Sequence, residues 1–153
     1  MRDLICDVKK NILNTDIYKL LAPSLYNPTE ERLQSRARKY KEDENIQISA
    51  YNDKGEYKGI IVFEIVDNYA RILDIAVKPE YQRKGIGSRM LDFIFNKFEV
   101  NRITAETDDD AIGFYKKYGF VINDTRIRFD TKRYSIIKER KIFSPELFCD
   151  ENL

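Results

Sequence analysis

Residues 82–88, QRKGIGS, have the composition of a loop that binds phosphate. Gly85 and Gly87 allow the backbone to turn successive N–H groups toward one point. Apolar residues then recur every four positions from Ile86 to Phe98, which predicts an amphipathic helix that begins inside the loop. The free N–H groups at the start of a helix carry a partial positive charge, so loop and helix together predict an anion site suited to phosphate.

A buried strand precedes the loop and would hold it in place. Ile72 to Val77 is apolar except for Asp74 and rich in β-branched residues, and Pro79 prevents the strand from continuing. The order of strand, glycine loop and helix fits neither of two common nucleotide-binding motifs. The dinucleotide-binding fingerprint needs a third glycine where Met90 stands, and a P-loop needs a lysine directly after its last glycine. A tight turn without a ligand is the alternative interpretation.

The overall composition excludes several other function classes. The chain has 153 residues, with 27 Lys plus Arg against 26 Asp plus Glu, so its formal net charge of +1 does not support binding to nucleic acid or to an anionic membrane. There is no histidine, which excludes His-based catalytic triads. Cys6 and Cys149 are far apart in the sequence, so we expect no metal site and no disulfide framework.

The sequence also lacks segments that direct a protein to or across a membrane. No secretory signal is present at the N-terminus, and no apolar run approaches the roughly 20 residues of a membrane span. We therefore expect a soluble cytoplasmic protein. Because there is no internal repeat and no sign of a second domain boundary, we expect residues 1–153 to form a single domain, with residues 142–153 as a C-terminal tail.

Periodicity predicts the other elements. Strands are expected at residues 3–8, 46–51, 58–66, 72–77, 102–106, 120–129 and 133–138. Helices are expected from Asn14 to Pro23, after an Asn27 cap with Pro28 in the first helical position, at residues 86–98, and from the acidic run at 107–110 to Gly119. The second helix is rich in basic residues, which we interpret as a solvated face rather than a surface for an acidic partner.

Two motifs in this order resemble the GNAT-type N-acetyltransferases. The pattern Gln82-x-x-Gly85-x-Gly87 resembles the family's acyl-CoA-binding motif Q/R-x-x-G-x-G/A, placed after a strand and before a long helix. Residues 111–120, AIGFYKKYGF, resemble the family's A-x-x-F-Y-x-x-x-G-F helix and strand. The close resemblance covers about residues 58–122.

This resemblance implies a fold and a co-substrate. The expected fold is α+β, with a mixed, mostly antiparallel sheet of about seven strands, helices on both faces and a splay near Val77 and Glu106. Acetyl-CoA would bind with its pyrophosphate on the amides of the glycine loop and its pantetheine arm along the preceding strand, and no metal is implied. The implied cofactor-binding residues are Ile75, Ala76, Val77, Gln82, Arg83, Lys84, Gly85, Ile86, Gly87, Ser88 and Tyr115.

The resemblance also implies direct acetyl transfer to a primary amine of a small molecule, a peptide or a protein. In the family, a tyrosine of the F-Y pair commonly protonates the leaving thiolate, which corresponds to Tyr115 here, with core packing as its alternative role. A proton must also leave the amine. Glu106 at a strand end and Asp74 within an apolar strand are the two candidate bases, and either could instead be structural or bind substrate.

Two departures from the family pattern limit the comparison. Asp108 stands where the family often has asparagine, and we expect it to cap a helix. Arg71 stands where histone-modifying members carry a glutamate base, so a histone-type mechanism is not expected.

A CoA-binding regulatory or structural module without turnover is the competing function. The identity of the amine and the formation of a homodimer stay open.

Overall fold

The chain folds around one seven-stranded sheet. The structure, a computed structural model, describes residues 4–141. The strands are β1 (Leu4–Asp7), β2 (Ile46–Asp53), β3 (Glu56–Val66), β4 (Tyr69–Val77), β5 (Arg102–Thr107), β6 (Val121–Arg128) and β7 (Thr131–Glu139). Their spatial order is β1-β2-β3-β4-β5-β7-β6, and β4–β5 is the parallel pair in an otherwise antiparallel sheet. This arrangement confirms the predicted α+β fold.

Within the described residues, four α-helices flank the sheet. They are α1 (Thr15–Tyr18), α2 (Glu30–Glu42), α3 (Ile86–Phe98) and α4 (Ile112–Tyr118). Helix α3 begins and ends where the four-residue spacing of its apolar side chains predicts. Helix α4 ends at Gly119, whose φ of 122° is accessible to glycine and whose amide donates to the Tyr115 carbonyl at 3.1 Å. The predicted C-terminal tail, residues 142–153, lies outside the described residues.

The start of α2 differs from the sequence prediction. Thr29, and not Asn27, caps the helix, since its Oγ1 accepts a hydrogen bond from the Arg32 amide at 3.2 Å. Asn27 has a φ of 52°, and Pro28 precedes the cap instead of opening the helix. The sequence offers two residues with capping side chains, and only Thr29 has its oxygen within reach of a free amide in the first turn.

The two faces of the sheet have separate apolar cores. Along β3, Ile61 and Phe63 pack on the face that α3 and α4 cover, and Ile60 and Val62 pack on the face that α1 and α2 cover. All four side chains are fully buried, so β3 is continuously apolar here instead of alternating with polar residues. Burying an isoleucine in this way contributes about 1.5–3 kcal/mol.

Strands β4 and β5 are neighbours only near their beginnings. The parallel pairing joins Tyr69–Arg71 to Arg102–Thr104, although β4 continues to Val77 and β5 to Thr107. The predicted splay is therefore present, and it begins earlier along both strands than predicted.

A β-bulge explains where the two strands diverge. In the pairing of β3 with β4, Phe63 is opposite Ile72 and Val62 is opposite Asp74, which leaves Leu73 as an extra residue. A bulge increases the twist of its strand, so β4 turns away from β5 at this point. The extra residue also changes which face each side chain occupies, and it places Asp74 on the α2 face.

Candidate active site

The opening between β4 and β5 leaves backbone polar groups without a strand partner in the middle of the sheet. Within the described residues, β4 is paired only with β3 from Ile72 to Val77, and β5 is paired only with β7 from Ala105 to Thr107. Backbone N–H and C=O groups in such a position need another partner. The opening can therefore accept an extended ligand in the place of a missing strand.

The glycine loop follows β4 after a short 3-10 turn at Pro79–Tyr81, and it presents free N–H groups. Within residues 4–141, no hydrogen bond occupies the backbone N–H groups of residues 83–88, and the next amide, of Arg89, donates to the Gly85 carbonyl at 3.0 Å. Gly85 has a φ of 86°, which glycine adopts without strain. These amides and the positive end of α3 provide the donors that the predicted anion site needs.

Gly87 serves a different purpose from Gly85. It lies within α3, where a Cβ atom would come within 2.8 Å of Cε1 and Cζ of Phe114. Real Cβ atoms do not approach so closely, so any other residue would displace the Phe114 ring. Gly85, in contrast, has open space around the position of a Cβ atom. One glycine thus permits the turn, and the other permits the close approach of α3 and α4.

Side chains brace the loop against the sheet. Gln82 Nε2 donates to the Val77 carbonyl at 3.0 Å and so ties the start of the loop to the end of β4. The Tyr81 hydroxyl donates to Glu56 at 2.9 Å, and Lys58 Nζ lies 4.3 Å from the centre of the Tyr81 ring. The loop is therefore held in shape before any ligand binds, which lowers the entropy cost of binding.

Tyr115 lies in the core between the sheet and the α3–α4 face. It is 5% exposed, and its ring makes edge-to-face contacts with Phe114 and Phe120 at centroid distances of 5.1 Å. Its hydroxyl has no hydrogen-bond partner within residues 4–141. Every fully buried side-chain nitrogen or oxygen in that range has a partner. The Tyr115 hydroxyl oxygen is therefore not fully buried and reaches the accessible surface. Burial raises the pKa of Tyr115, and the carboxylates of Asp74 and Asp108 raise it further. The hydroxyl is therefore protonated at neutral pH.

Asp74 lies on the opposite face of the sheet, under α2. Its carboxylate accepts hydrogen bonds from Arg36 Nη1 at 3.0 and 3.1 Å and from the Tyr40 hydroxyl. The Asp74 side chain is only 5% exposed. The pKa of Tyr40 is raised, mainly because Tyr40 is buried and secondly because the Asp74 carboxylate is close. Two donors from α2 thus engage Asp74, and the contact fixes α2 to β4 at the bulge.

Glu106 is exposed near the end of β5. Its neighbour Ala105 packs in the α3–α4 core, so the alternation of a strand directs the Glu106 side chain to the α2 face. Its carboxylate has no hydrogen bond or ion pair within the described part of the chain. The two predicted acids therefore share one face of the sheet, and Tyr115 belongs to the other.

Several contacts in this site have no local sequence signal. Arg36 and Tyr40 share one face of α2 because they are four residues apart, but nothing in the sequence connects them with Asp74. An acid inside an apolar strand does indicate that partners exist, because a buried charge needs them. The expectation that Asp108 caps a helix is wrong: Ala111 is the N-cap residue of α4 and no side chain caps it, whereas Asp108 Oδ1 accepts from the Ala111 amide at 3.1 Å in the turn before the helix.

The fold and the loop geometry agree with one enzyme family. A family model described as an acetyltransferase (GNAT) domain matches residues 43–122, more than half of the 153-residue chain. The chain belongs to the GNAT acetyltransferase family. The matched span of this acetyltransferase includes the opening between β4 and β5, the glycine loop, α3 and α4.

The acetyltransferase is similar to two proteins of Bacillus subtilis (strain 168). It is 29% identical over 126 residues to streptothricin acetyltransferase A, and the match covers 70% of this chain and 69% of that protein. It is 31% identical over 78 residues to the UPF0157 protein YqkA, which covers 48% of this chain. The chain spans only 23% of the length of YqkA in that match.

Solved structures share the fold at lower sequence identity. The ribosomal-protein-S18-alanine N-acetyltransferase from Escherichia coli has a TM-score of 0.68 and 17% identity, covering 94% of this chain and 97% of that one. A GNAT family acetyltransferase from Elizabethkingia anophelis with acetyl-CoA bound has a TM-score of 0.67 and 22% identity, covering 90% and 98%. These likenesses confirm the architecture of the acetyltransferase.

Two further findings concern membranes and metals. Among residues 4–141, no helix has both the length and the apolar character needed to cross a bilayer. The same residues contain no group of three or more His, Cys, Asp or Glu side chains arranged to hold a metal ion. Cys6 is a free, exposed cysteine, and Cys149 lies outside the described residues.

Proposed function

We propose that this acetyltransferase moves the acetyl group of acetyl-CoA directly to a primary amine of a small molecule, a peptide or a protein. The observation that carries the proposal is the opening between β4 and β5, together with the free amides of residues 83–88 in the loop that follows β4. A pantetheine arm can pair with the free edge of β4, and a pyrophosphate can bind the loop amides. One extended ligand would thereby satisfy both sets of unpaired groups.

The strand and the loop would bind acetyl-CoA mainly through their backbone. The side chains of Ile75 and Val77 pack toward the α3 face and that of Ala76 toward the α2 face. One edge of this segment pairs with β3, and the other edge offers its main-chain groups to the ligand, apart from the Val77 carbonyl that accepts from Gln82. The Val77 amide is a suitable donor to polarise the thioester carbonyl. In the loop, the proposed contacts come from Gln82, Arg83, Lys84, Gly85, Ile86, Gly87 and Ser88.

The two faces of the sheet suggest a division of roles in the transfer. The amine nitrogen attacks the thioester carbonyl, the C–N bond forms, the C–S bond breaks, and CoA leaves as a thiolate while the amine loses a proton. Glu106 would act from the α2 face, where the amine approaches, and Tyr115 from the α3–α4 face, where the sulfur leaves. A thioester is already activated, so positioning supplies much of the rate.

The raised pKa of Tyr115 suits it to hydrogen bonding more than to full proton transfer. A thiol has a pKa of about 8.5, so a hydroxyl with a pKa above the ordinary tyrosine value of about 10 keeps its proton. It can still donate a hydrogen bond to the sulfur as negative charge develops there. Water can then supply the proton that the thiolate finally takes up.

Exchanging the two acids for their amides should separate catalysis from stability. Asp74→Asn removes a charge held by two buried or half-buried donors, and we expect it to lower the free energy of unfolding by about 1.5–3 kcal/mol. Glu106→Gln changes an exposed, unpaired carboxylate, so its unfolding should shift by less than about 0.5 kcal/mol. We expect kcat/KM for the amine to fall about tenfold in Glu106→Gln because proton removal is impaired.

Chemical denaturation and steady-state kinetics on both variants test these roles. The assignments would be reversed if Asp74→Asn were stable but turned over much more slowly while Glu106→Gln stayed fully active. Asp74 would then be the base and Glu106 would have no part in catalysis.

Acetyl-CoA binding provides the most direct test of the proposal. At about 100 times Kd, acetyl-CoA should stabilise the protein by roughly 2.7 kcal/mol, which corresponds to a rise in melting temperature of roughly 5–10 °C for a chain of this size. A melting temperature that millimolar acetyl-CoA leaves unchanged would contradict the proposed site.

Turnover separates the enzyme from a module that only binds CoA. A thiol-release assay with acetyl-CoA and a panel of amines should show amine-dependent production of free CoA. Streptothricin and an alanine-ended peptide, suggested by the names of similar proteins, belong in the first panel. Stabilisation by acetyl-CoA without thiol release for any amine would favour the module.

A further inference from the structure

A cleft lies along α2, on the face of the sheet from which the amine would approach. It has a volume of about 370 Å³ and is lined by Leu25, Tyr26, Arg32, Ser35, Arg36 and Lys39. Ser35, Arg36 and Lys39 follow Arg32 by three, four and seven positions, so the four residues form one stripe along α2. The segment just before α2 contributes the other wall, where the Tyr26 ring is 92% exposed.

The lining of this cleft carries three cations and no acid. Arg32 donates to the Tyr26 carbonyl at 3.4 Å and has no carboxylate partner within the described residues. Lys39 likewise has no ion pair in this part of the chain. Only Arg36 is paired, with Asp74. The basic residues of α2 are thus more than the uniformly solvated face that the sequence suggests, because three of them converge on one concave site.

Arg36 connects the cleft to the proposed reaction centre. Its Nη1 atom donates to both oxygens of Asp74, which immediately precedes Ile75 on the free edge of β4. The guanidinium has five N–H donors, and the two hydrogen bonds to Asp74 use Nη1 alone. Only the Arg36 side chain therefore separates a group bound in the cleft from β4, the strand that would hold the thioester. The contact with Asp74 also fixes Arg36, so less entropy is lost when a ligand binds.

The charges of the cleft select for an anionic group on the acceptor. Three converging cations repel a simple diamine or polyamine, and they attract a carboxylate through charge-assisted hydrogen bonds. The nearby positive charge also disfavours the protonated form of the amine, and the neutral form is the nucleophile. The volume is that of a site for a small molecule.

We propose that the acceptor is a small amine that carries a carboxylate, of the amino-acid type. The carboxylate binds Arg32, Arg36 and Lys39, and the amine points toward the opening between β4 and β5. The amine nitrogen bonds to the acetyl carbon, the C–S bond of acetyl-CoA breaks so that CoA leaves as a thiolate, and Glu106 accepts the amine proton and passes it to solvent. This inference rests on the proposed acetyl transfer and specifies its substrate class.

Matched pairs of amines test the proposal. Each amino acid in a panel is compared with its own carboxamide, which keeps the amine and loses the negative charge. We expect kcat/KM for the best acid to exceed that for its amide by about tenfold or more, and we expect the preference to weaken as salt is added. Equal use of acids and amides, or turnover of peptides alone, would overturn the proposal.

Charge variants on α2 locate the effect. Arg32→Gln with Lys39→Gln removes two exposed cations of the cleft, and we expect the preference for the acid to collapse toward unity. Arg38→Gln is the matched control, because Arg38 is an exposed cation on the same helix that does not line the cleft. A preference that survives the double change, or that Arg38→Gln reduces equally, would contradict the assignment.

A binding measurement distinguishes failure of this inference from failure of the acetyl-transfer proposal. With CoA present, the preferred acid should raise the melting temperature and its amide should not, whether or not turnover occurs. Stabilisation by acetyl-CoA and thiol release with neutral amines, without any response to acids, would overturn only the substrate class. Absence of stabilisation by acetyl-CoA itself would instead count against the proposed function.

Discussion

Replacing Tyr115 with phenylalanine should lower kcat about 10- to 100-fold, because a hydrogen bond to a developing charge is worth about 1.5–3 kcal/mol. The ring and its contacts with Phe114 and Phe120 are retained, so stability should change little. The KM for acetyl-CoA should change by less than about twofold, since the hydroxyl matters mainly as charge develops on the sulfur. Steady-state kinetics with an amine for which chemistry is rate-limiting would measure this.

Tyr118→Phe is the matched control for the tyrosine on the same helix. The Tyr118 hydroxyl donates to Asp92 Oδ1 at 2.6 Å, away from the opening between β4 and β5. Its loss removes one exposed hydrogen bond, and kcat should stay within about twofold of the wild-type value. If Tyr115→Phe turns over as fast as Tyr118→Phe, Tyr115 is a core residue without a part in the chemistry.

Replacing Gly87 with valine should abolish the stabilisation by acetyl-CoA. A Cβ atom at this position meets the Phe114 ring at 2.8 Å, and the two methyl groups of valine would crowd the amides of the loop as well. The displaced Phe114 ring is also the neighbour of Tyr115, at a centroid distance of 5.1 Å. We therefore expect loss of the acetyl-CoA shift in a thermal melt together with loss of turnover. A Gly87→Val protein that folds and binds acetyl-CoA normally would show that the loop is not the site.

Two further variants separate the helix contact from the ligand contact. Gly113→Ala is the control, because Gly113 lies in α4 with open space around its missing Cβ, and alanine favours a helix. This variant should bind acetyl-CoA like the wild type. The single variant Gly87→Ala is then compared with the double variant that carries Gly87→Ala and Phe114→Ala. The comparison shows whether removing the Phe114 ring, which a Cβ atom at position 87 would meet, restores acetyl-CoA binding. Restoration would mean that Gly87 acts through the approach of α3 to α4.

Local spacing in the sequence was sufficient to predict the glycine loop, the α3 helix, the approximate positions of the strands and the position of Tyr115 on a helix. Each of these depends on residues within about one element, where backbone preferences and apolar periodicity operate. Helix α3 is an example, since it spans Ile86–Phe98, where the four-residue spacing of its apolar side chains predicts a helix. The two motifs were likewise sufficient to predict the GNAT family.

Only the tertiary structure decided what the site residues contact. The bulge at Leu73 places Asp74 under α2, where Arg36 and Tyr40 engage it from positions 38 and 34 residues away. The same packing brings Phe114 against Gly87, and it places three cations of α2 along one cleft. Sequence periodicity assigns a residue to one side of its own element, but which side chains meet across elements depends on strand register, twist and helix placement, and these emerge only when the whole sheet assembles.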